Sequence, residues 1–530
     1  MKSTSKRLRQ ITNLLLDSQV FLKSDSQKFY VLCAISTSMD TRRIVSLSLA
    51  LLMISFTTLA IIENPLSAED SLPESKKSLD TNAMNPMMGS NQGHIDTYDT
   101  LSVGIQFTCV VTDNSSVICW GRTDYGETGS GLTGSEAYHN ASYVVGLSGV
   151  NIVEVAAHWD HACALSDQGD VYCWGRNSMG MLGNGGTSDS TTPVQVSLPP
   201  GVQAASLSQG PSYHSCIIST DGDGYCWGNN NRGQLGNGEI CNLNTGASTS
   251  SCHNNGYAEY VVTPQLVDMP VGVGITSISM GGDHTCATGT DLGVYCWGSD
   301  MNCRVTGGDT TTSITGQPVC DFNHMQESPK KLMFQNTAIT IPDKENLSFV
   351  QVAVGWVFSC GLTDAGSIIC WGANTESQQG IGSNSNNPAQ VVPTETIAPS
   401  GEHALSISAS TAQACALFNE SGAFCWGDNW GGNAGDYDGT NDWYCNYTGG
   451  SNGGGNNNCA DVSTPNAVWS GENDDIHFTS VVMGASNTCG IMANSSLYCW
   501  GAYAWNGVNG SVHNTYSGVR LPLFLSLIHI

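Results

Sequence analysis

Cysteine is the residue whose type and spacing could do chemistry in this chain. Fourteen of the 21 cysteines form seven pairs, and nine residues separate the members of each pair. The second member always opens a Cys-Trp-Gly triplet. The pairs are Cys109–Cys119, Cys163–Cys173, Cys216–Cys226, Cys286–Cys296, Cys360–Cys370, Cys415–Cys425 and Cys489–Cys499. Zinc sites favour closer spacings such as Cys-x-x-Cys, which this sequence lacks, so the pattern favours disulfide bonds.

Three further cysteine pairs lie in insertions. Successive Cys-Trp-Gly triplets are 54, 53, 70, 74, 55 and 74 residues apart, and each of the three long spacings holds one additional pair. These are Cys241 with Cys252, Cys303 with Cys320, and Cys445 with Cys459, in the insertions 239–262, 299–328 and 436–464. A crosslink reduces the conformational freedom of a long polar loop. The alternative is that the strand cysteines are small buried residues in a reduced protein.

The element that must position each spaced pair is a β-hairpin. Asp167-Gln168-Gly169 marks a turn. Cys163 and Leu165 occupy alternate positions before it, and Val171 and Cys173 occupy alternate positions after it. A three-residue turn ending in Gly connects hairpin strands well, and it places Cys163 opposite Cys173 at disulfide distance. Further strands are predicted before the hairpins, as in 275–282 and 349–356, and after them, as in 191–198. Several short strands in each of seven units predict blades around an axis.

The repeat resembles that of the regulator of chromosome condensation family. The resemblance rests on the Cys-Trp-Gly triplet, on the segment Gly233-Gln234-Leu235-Gly236-Asn237-Gly238, and on Gly281, Gly282 and His284. Other repeats depart from the pattern, with Phe107, Phe358, Gln413 or Asn487 at the histidine position and 302–305 in place of Gly-Gln-Leu-Gly. The resemblance covers about residues 93–522 and implies an all-β, seven-bladed β-propeller, here disulfide-rich. It implies much less about function.

The first 92 residues predict export. Residues 44–62 are an apolar run that follows Arg42 and Arg43, and residues 66–68 suit cleavage after Ala68, as in a secretory signal. An uncleaved membrane anchor is the alternative, because the run is long enough to span a bilayer. A start at Met39 would leave a signal of ordinary length. We therefore expect a leader over 1–68, a flexible linker over 69–92 and the propeller over 93–530. Residues 523–530 continue no repeat, as expected if the natural C-terminus is missing.

The charge of the chain argues against nucleic acid. Residues 1–68 hold eight of the 18 basic and four of the 45 acidic residues, which leaves 10 basic and 41 acidic residues and a net charge of −31 beyond them. A surface this acidic repels phosphate backbones, so we expect no nucleic-acid partner. Solubility explains the charge most simply. The more specific alternative is that an acidic face binds a basic partner or cations.

Other candidate sites have simpler structural interpretations. The seven repeated Trp suit packing between blades better than stacking on sugars, and His161, His214 and His284 suit structural hydrogen bonds. The acidic run Asp436, Asp438 and Asp442 is a weak calcium candidate, but it lacks the closing Glu of an EF-hand, and a solvated loop is the simpler interpretation. We expect no cofactor. Seven Asn-x-Ser/Thr sequons suit a glycosylated surface: Asn114, Asn140, Asn346, Asn419, Asn446, Asn494 and Asn509.

These observations favour a binding module over an enzyme. The three insertions follow the same position in their repeats, and insertions at equivalent positions gather on one face. Trp430, Trp443, Tyr444 and Tyr447 suit recognition there. We expect a monomer that is secreted or anchored at the outer cell surface and binds a protein or a surface glycan. The alternatives are guanine-nucleotide exchange, the activity of the family's founding member, and hydrolysis of a polysaccharide at the central channel.

Overall fold

A computed structural model defines the fold of the chain, which divides into two compact units, Met1–Asn91 and Gln92–Ile530. It describes residues 20–25, 28–33, 100–134, 138–241, 252–254, 259–306, 325–332, 347–383, 393–420, 422–429, 434, 461–468, 478–485, 487–493, 496–501 and 515–521. In the first unit, strand Val20–Asp25 pairs with strand Lys28–Cys33. No helix among the described residues is long and apolar enough to cross a membrane. The apolar run 44–62 lies outside those residues.

The second unit consists of seven antiparallel sheets, each formed by consecutive strands of the chain. We number these blades 1 to 7. Blades 1 and 2 comprise Leu101–Val103, Phe107–Val111, Val117–Arg122 and Tyr138–Tyr143, then Ile152–Ala157, His161–Ser166, Val171–Gly175 and Ser190–Gln195. Blade 3 comprises Ala204–Leu207, His214–Ser219, Gly224–Asn229 and Glu259–Leu266, with the short strand His253–Asn254 added at its edge.

The remaining blades repeat the plan. Blade 4 comprises Ile275–Met280, His284–Gly289, Val294–Ser299 and Met325–Lys331, with a 3-10 turn at Met301–Cys303. Blade 5 comprises Phe349–Val354, Phe358–Thr363, Ile368–Gly372 and Thr394–Glu395. Blades 6 and 7 comprise Ala404–Ala409, Gln413–Phe418, Gly422–Gly427 and Val462–Ala467, then Phe478–Met483, Asn487–Met492, Leu497–Gly501 and Thr515–Leu521. The seven-bladed all-β propeller expected from the repeats is confirmed.

The second and third strands of every blade form the hairpin that the cysteine spacing predicts. Cys163 lies directly opposite Cys173 in the ladder, and the corresponding register recurs in the other six blades. In all seven blades the two sulfur atoms lie at disulfide distance. The cysteines are buried, so they also fill the middle of each sheet.

The glycine of each Cys-Trp-Gly triplet is required by the backbone. All seven have a φ between +98° and +107°, a region that side chains rarely adopt. At Gly228, a Cβ atom would lie 2.8 Å from the carbonyl oxygen of Tyr213 and 2.8 Å from the Cα of His214. The third strand can therefore lie against the end of the second strand only where glycine stands.

The tryptophan of the triplet joins neighbouring blades. All seven of these indoles are at most 1% exposed. In five blades the indole Nε1–H donates to a main-chain carbonyl of the preceding blade, in the loop before its fourth strand. The pairs are Trp174 with Glu127 (2.8 Å), Trp227 with Met181 (2.7 Å), Trp297 with Gln234 (2.9 Å), Trp371 with Arg304 (3.0 Å) and Trp426 with Gln378 (2.8 Å). The packing between blades that was predicted for these residues is confirmed.

The first strand of each blade is its inner strand, and six of the seven neighbouring pairs of first strands are in contact. An inner edge strand has unpaired N–H groups. Polar side chains of the preceding blade accept hydrogen bonds from several of them. The pairs are Ala157 N with Ser102, Leu207 N with Glu154, Val354 N with Ser279, Ile407 N with Gln351 and Met483 N with Ser408, at 2.8 to 3.0 Å. These bonds give several inner-edge N–H groups a partner in the neighbouring blade.

Blade 7 closes the ring on blade 1 through side chains. Leu101 and Val103 of blade 1 share a hydrophobic cluster with Cys489 and Leu497 of blade 7. Thr108 Oγ1 lies 3.9 Å from Cys489 Sγ across the same joint. Each sheet is built from its own consecutive strands, so the described strands close the ring by packing rather than by exchange between blades.

Candidate binding face

The meander of each blade defines two faces. The turn between the first and second strands lies at the same end of a blade as the connection between the third and fourth strands. We call this side the insertion face, because the strands that flank the three insertions, such as Gly224–Asn229 and Glu259–Leu266, meet it. The hairpin turns between the second and third strands lie on the opposite side, which we call the hairpin face. The sequence prediction that the insertions share one face agrees with this topology.

Three half-buried aromatic side chains meet at the centre of the insertion face. Trp159, Tyr213 and Trp356 lie in the first turns of blades 2, 3 and 5. Ring centroids are 4.7 Å apart for the two tryptophans, 5.7 Å for Trp159 and Tyr213, and 6.3 Å for Tyr213 and Trp356. We call this group the aromatic cap. It covers this mouth of the central channel, since its members reach the same point from blades spread around the ring.

Backbone contacts and one glycine hold the cap in place. Trp159 N–H donates to the carbonyl of Ser212 at 3.4 Å, and Trp356 N–H donates to that of Thr411 at 3.0 Å, so each turn is held by the next blade. At Gly282 of blade 4, a Cβ atom would lie 2.7 Å from the Trp356 ring. Blade 4 therefore makes room for an indole that belongs to blade 5.

A buried carboxylate beside the cap joins blades 1 and 2. Asp160 accepts hydrogen bonds from the guanidinium of Arg122 at 3.0 Å and from that of Arg176 at 2.9 Å, one on each oxygen. Both guanidinium groups lie near the ring of Tyr125, at 5.7 and 4.8 Å from its centroid. Asp160 is 3% exposed, and its charge is matched by its two partners. Each carboxylate oxygen therefore has a partner, and the group links the third strand of blade 1 to the first turn of blade 2.

Burial raises the pKa of two groups near the cap. Burial, and after it the charge of Asp160, raises the pKa of Tyr213 to about 12, so its hydroxyl stays protonated. Burial raises the pKa of Glu127 to about 7. The Glu127 side chain accepts the N–H of Tyr125 at 2.8 Å, while its other oxygen is buried without a partner. Glu127 thus lies under the face without access to a ligand.

The repeated histidines are structural. His161 Nε2 lies 2.7 Å from Ser215 Oγ in the next blade, and Ser215 donates to the Met181 carbonyl at 3.1 Å. His214 Nε2 and Thr285 Oγ1 are arranged in the same way at the following joint, 2.8 Å apart. Because each hydroxyl donates to a carbonyl, the histidine Nε2 must carry the proton that it shares with the hydroxyl. The structural hydrogen bonds predicted for these residues are confirmed.

A group of potential metal ligands is already committed to other bonds. Among the described residues, His158, His161 and Cys163 have ligand atoms within 4.8 Å of one another. Cys163 is paired with Cys173, and His161 uses its Nε2 on Ser215. A paired sulfur is not the thiolate that a metal binds. These residues therefore form a blade joint and not a candidate metal centre.

The insertions are described only at their ends. Cys241 and Cys252 lie at disulfide distance, as predicted. Cys303 is disulfide-bonded, but its predicted partner Cys320 lies outside the described residues. So do Cys445 with Cys459, the aromatic candidates Trp430, Trp443, Tyr444 and Tyr447, and the calcium candidates Asp436, Asp438 and Asp442.

Sequence reasoning missed the aromatic cap. One signal could have found it, because Trp159 and Trp356 both stand two residues before the start of a second strand, at His161 and Phe358. An alignment of the repeats at this position places an aromatic residue in two blades where the others have a different residue type. Predicting the cap also requires knowing how the blades are arranged in the ring, since the two positions meet only across its centre.

Comparisons with known proteins agree with the repeat structure. The family model described as "Regulator of chromosome condensation (RCC1) repeat" matches residues 152–180, 205–234 and 349–378, and a second model of the same description matches 168–218 and 221–288. The ultraviolet-B receptor UVR8 of Arabidopsis thaliana is 25% identical over 366 residues, which are 63% of this chain and 78% of UVR8. The human E3 ubiquitin-protein ligase HERC2 is 26% identical over 206 residues, which are 38% of this chain but only 4% of HERC2.

The fold agrees with a solved structure of low sequence identity. Yeast RCC1 (Prp20), in its crystal structure with Kap60, matches with a TM-score of 0.59 at 18% identity. The match covers 87% of this chain and 92% of Prp20. At this identity the likeness concerns the fold alone.

Proposed function

We propose that this chain, a seven-bladed propeller built from regulator of chromosome condensation repeats, is an extracellular module that binds a protein partner with its insertion face. The observation that carries the proposal is the aromatic cap at the centre of that face. Half-buried tryptophan and tyrosine on a rigid support are the residue types that most often anchor protein interfaces. The connections between third and fourth strands begin and end on the same face as the cap, so a partner docked on the cap would also meet them.

The rigidity of the cap adds to its suitability for binding. Its residues lie in short turns that neighbouring blades hold by backbone hydrogen bonds, such as Trp356 N–H to Thr411 at 3.0 Å. Little conformational freedom is then lost when a partner docks, which favours affinity. A hydrolase at the channel is less well supported, because the cap covers one mouth and hydrogen-bonded side chains line the wall.

The charge of the insertion face favours a basic partner. The three insertions hold ten acidic residues and one basic residue. Burial, and after it the charges of Glu376 and Asp428, raises the pKa of Asp461, at the described end of the blade 6 insertion, to about 6, so these carboxylates lie close enough to repel one another. A basic partner would relieve this repulsion and would be attracted over a distance. We expect the association rate to fall as salt is added.

The extracellular location is supported by the predicted leader and by the eight cysteine pairs at disulfide distance. Disulfides persist in oxidising compartments and are rare in the cytosol. A titration of thiols in denaturant, without reductant, tests this part. Fewer than two free thiols per exported chain supports it, and some twenty free thiols would contradict it.

Precedent for partner binding comes from proteins of the same fold. Yeast Prp20 is bound to Kap60 in a crystal structure, and its binding to Gsp1p and histones has been characterised. Those partners belong to Prp20. For the present chain we propose only that a protein is bound, and that its contact surface is basic.

The test is a capture experiment with matched variants. The exported chain is used to capture proteins from a cell-surface extract, in parallel with the double variant Trp159→Ala, Trp356→Ala and with a deletion of 436–460, which spares the strand Val462–Ala467. Val271→Ala is the control, because Val271 is fully exposed in the connection between blades 3 and 4 on the hairpin face. We expect one protein to be captured by the wild type and by the control, and lost with both face variants. Equal capture by all four chains would contradict the assignment of the face.

A further inference from the structure

The hairpin turn of blade 1 has a non-glycine residue at a left-handed position, as does blade 4 at Leu292 (φ +60°), whereas blades 2, 3 and 5 have glycine there. In blades 2 and 3 the turn holds Gly169 or Gly222 at a left-handed position, with φ of +81° and +85°. In blade 1 the aligned residue is Ser115, with φ of +60°, and it is the middle residue of Asn114-Ser115-Ser116. This sequence is an acceptor sequon for N-linked glycans.

The side chains of this sequon are placed as the modification requires. Asn114 is exposed at the tip of the hairpin between Phe107–Val111 and Val117–Arg122. Its Oδ1 accepts the Thr112 hydroxyl at 2.5 Å and the N–H of Ser116 at 3.3 Å. In the part of the chain that the structure describes, Nδ2 of Asn114 donates no hydrogen bond. The amide nitrogen is therefore free and accessible, and the turn brings the third sequon residue back beside the asparagine.

We propose that Asn114 carries an N-linked glycan that stands on the hairpin face. Nδ2 attacks the anomeric carbon of an oligosaccharide linked to a polyprenyl diphosphate. The carbon–oxygen bond to the diphosphate breaks, the polyprenyl diphosphate leaves with the bonding electrons, and the amide nitrogen loses one proton as the new carbon–nitrogen bond forms. The co-substrate belongs to the export pathway, so the inference requires the export that the proposed function also assumes.

The other sequons are less well supported as glycosylation sites. Asn140 lies in the fourth strand of blade 1, at the register irregularity between His139 and Ser142, and not in a turn. Asn419 is exposed in the hairpin turn of blade 6, with its Oδ1 accepting the N–H of His403 at 3.0 Å, but Ser421 of its sequon lies outside the described residues. Asn346, Asn446, Asn494 and Asn509 also lie outside them.

The position of Asn114 has a consequence for the binding face. The hairpin turns and the aromatic cap lie at opposite ends of the blades. A glycan on Asn114 would cover part of the hairpin face with a bulky hydrated chain and leave the cap open. It would also increase solubility on the side that makes no contact with the partner.

The test compares glycan occupancy in four full-length chains, each exported through its own leader by cells that perform N-glycosylation. Peptides that contain residue 114 are analysed by mass spectrometry after deglycosylation in ¹⁸O-water, which marks each formerly modified asparagine as labelled aspartate. We expect label at Asn114 in the wild type and none in Asn114→Gln or Ser116→Ala. Ser115→Ala is the matched control, because it keeps an Asn-x-Ser sequon and removes only a hydroxyl that the sequon does not require. It should keep the label.

Two outcomes overturn the inference and separate it from the proposed function. Exported protein with an unlabelled Asn114 that still captures its partner contradicts the glycan site alone. Protein that stays inside the cell with free thiols contradicts both proposals. Loss of the label in Ser116→Ala together with unchanged thermal stability and unchanged partner capture is the result that supports a glycan on the side away from the partner.

Discussion

The indole ring of Trp159 lies 4.7 Å from the indole ring of Trp356, between centroids, although the two residues belong to blades 2 and 5. The contact crosses the centre of the ring, so it depends on the arrangement of every blade between them. Both indole rings lie in turns, outside the hydrogen-bonded sheets. The predictions below test this contact and the joints that hold the blades in register.

Gly282 controls the position of the Trp356 ring. We expect Gly282→Ala to displace this indole, because a Cβ atom would lie 2.7 Å from its ring atoms. The near-contact of the two indoles should give an exciton couplet in circular dichroism, and the substitution should weaken this couplet and reduce partner capture at least fivefold. Gly274→Ala is the control, since its nearest neighbour would be Thr290 Cγ2 at an ordinary 3.4 Å. An unchanged couplet in Gly282→Ala would contradict the close packing.

Trp227 should contribute strongly to the joint between blades 2 and 3. Trp227→Phe removes the indole N–H that donates to the Met181 carbonyl at 2.7 Å and leaves a small void in a buried site. We expect the free energy of unfolding to fall by about 1–3 kcal/mol, as is typical when a buried hydrogen bond loses one partner. Thermal unfolding measures the effect. Trp356→Phe, at the half-buried cap, should change the midpoint much less, and equal losses would argue against the assigned role.

His214 should make the propeller sensitive to acid. Burial, and after it the charge of His158, lowers the pKa of His214 to about 3 in the folded state. The unfolded chain takes up a proton near pH 6.5, whereas the folded chain does not. Stability should therefore be full above pH 6.5 and fall by about 1.4 kcal/mol per pH unit for this group as the pH drops toward 3.

Glutamine is the matched replacement at that position. His214→Gln keeps an N–H for the hydroxyl of Thr285 and removes the titrating group, and blade 6 carries Gln413 at the aligned position. We expect the unfolding midpoint of this variant to depend less on pH between 6.5 and 4 than that of the wild type. Identical slopes would show that His214 does not govern the acid response.

Glu127 should act in the opposite direction. Its pKa is raised to about 7 by burial, so the folded chain holds a proton that the unfolded chain releases near pH 4.5. Stability from this group should fall as the pH rises from about 4.5 to 7. Gln234 and Gln378 occupy the aligned position in blades 3 and 5 and accept the same backbone N–H bond, at 2.8 and 2.9 Å.

The test is Glu127→Gln. We expect this variant to be more stable than the wild type by about 1–3 kcal/mol at pH 8, and the difference to shrink toward pH 4.5. Chemical denaturation at the two pH values measures it. A variant that is less stable at pH 8 would mean that the Glu127 carboxylate has a partner that compensates its burial.

The repeated part of the structure was predictable from sequence, and the unique part was not. Cys163 and Cys173 recur with fixed spacing in every blade, because a hairpin ladder imposes the same register wherever it occurs. The role of Trp227 could be predicted for the same reason. Trp159 and Trp356 belong to turns that differ from blade to blade, and their meeting depends on how blades 2 and 5 are placed in the ring, which the repeat pattern does not specify. Glu127 was missed because its burial depends on the neighbouring blade.

The described cysteine pairs never link one blade to another. In each blade the two cysteines are ten residues apart, and Cys241 lies 11 residues before its partner Cys252. A chain that emerges from a pore into an oxidising space therefore exposes both members of a pair almost together, before the next pair arrives. Correct pairing then needs no rearrangement between distant segments, and the oxidised chain can be unfolded and refolded repeatedly without reshuffling its bonds. Among the described residues each cysteine pair lies within one blade, and neighbouring blades are held together by non-covalent contacts of both backbone and side chains.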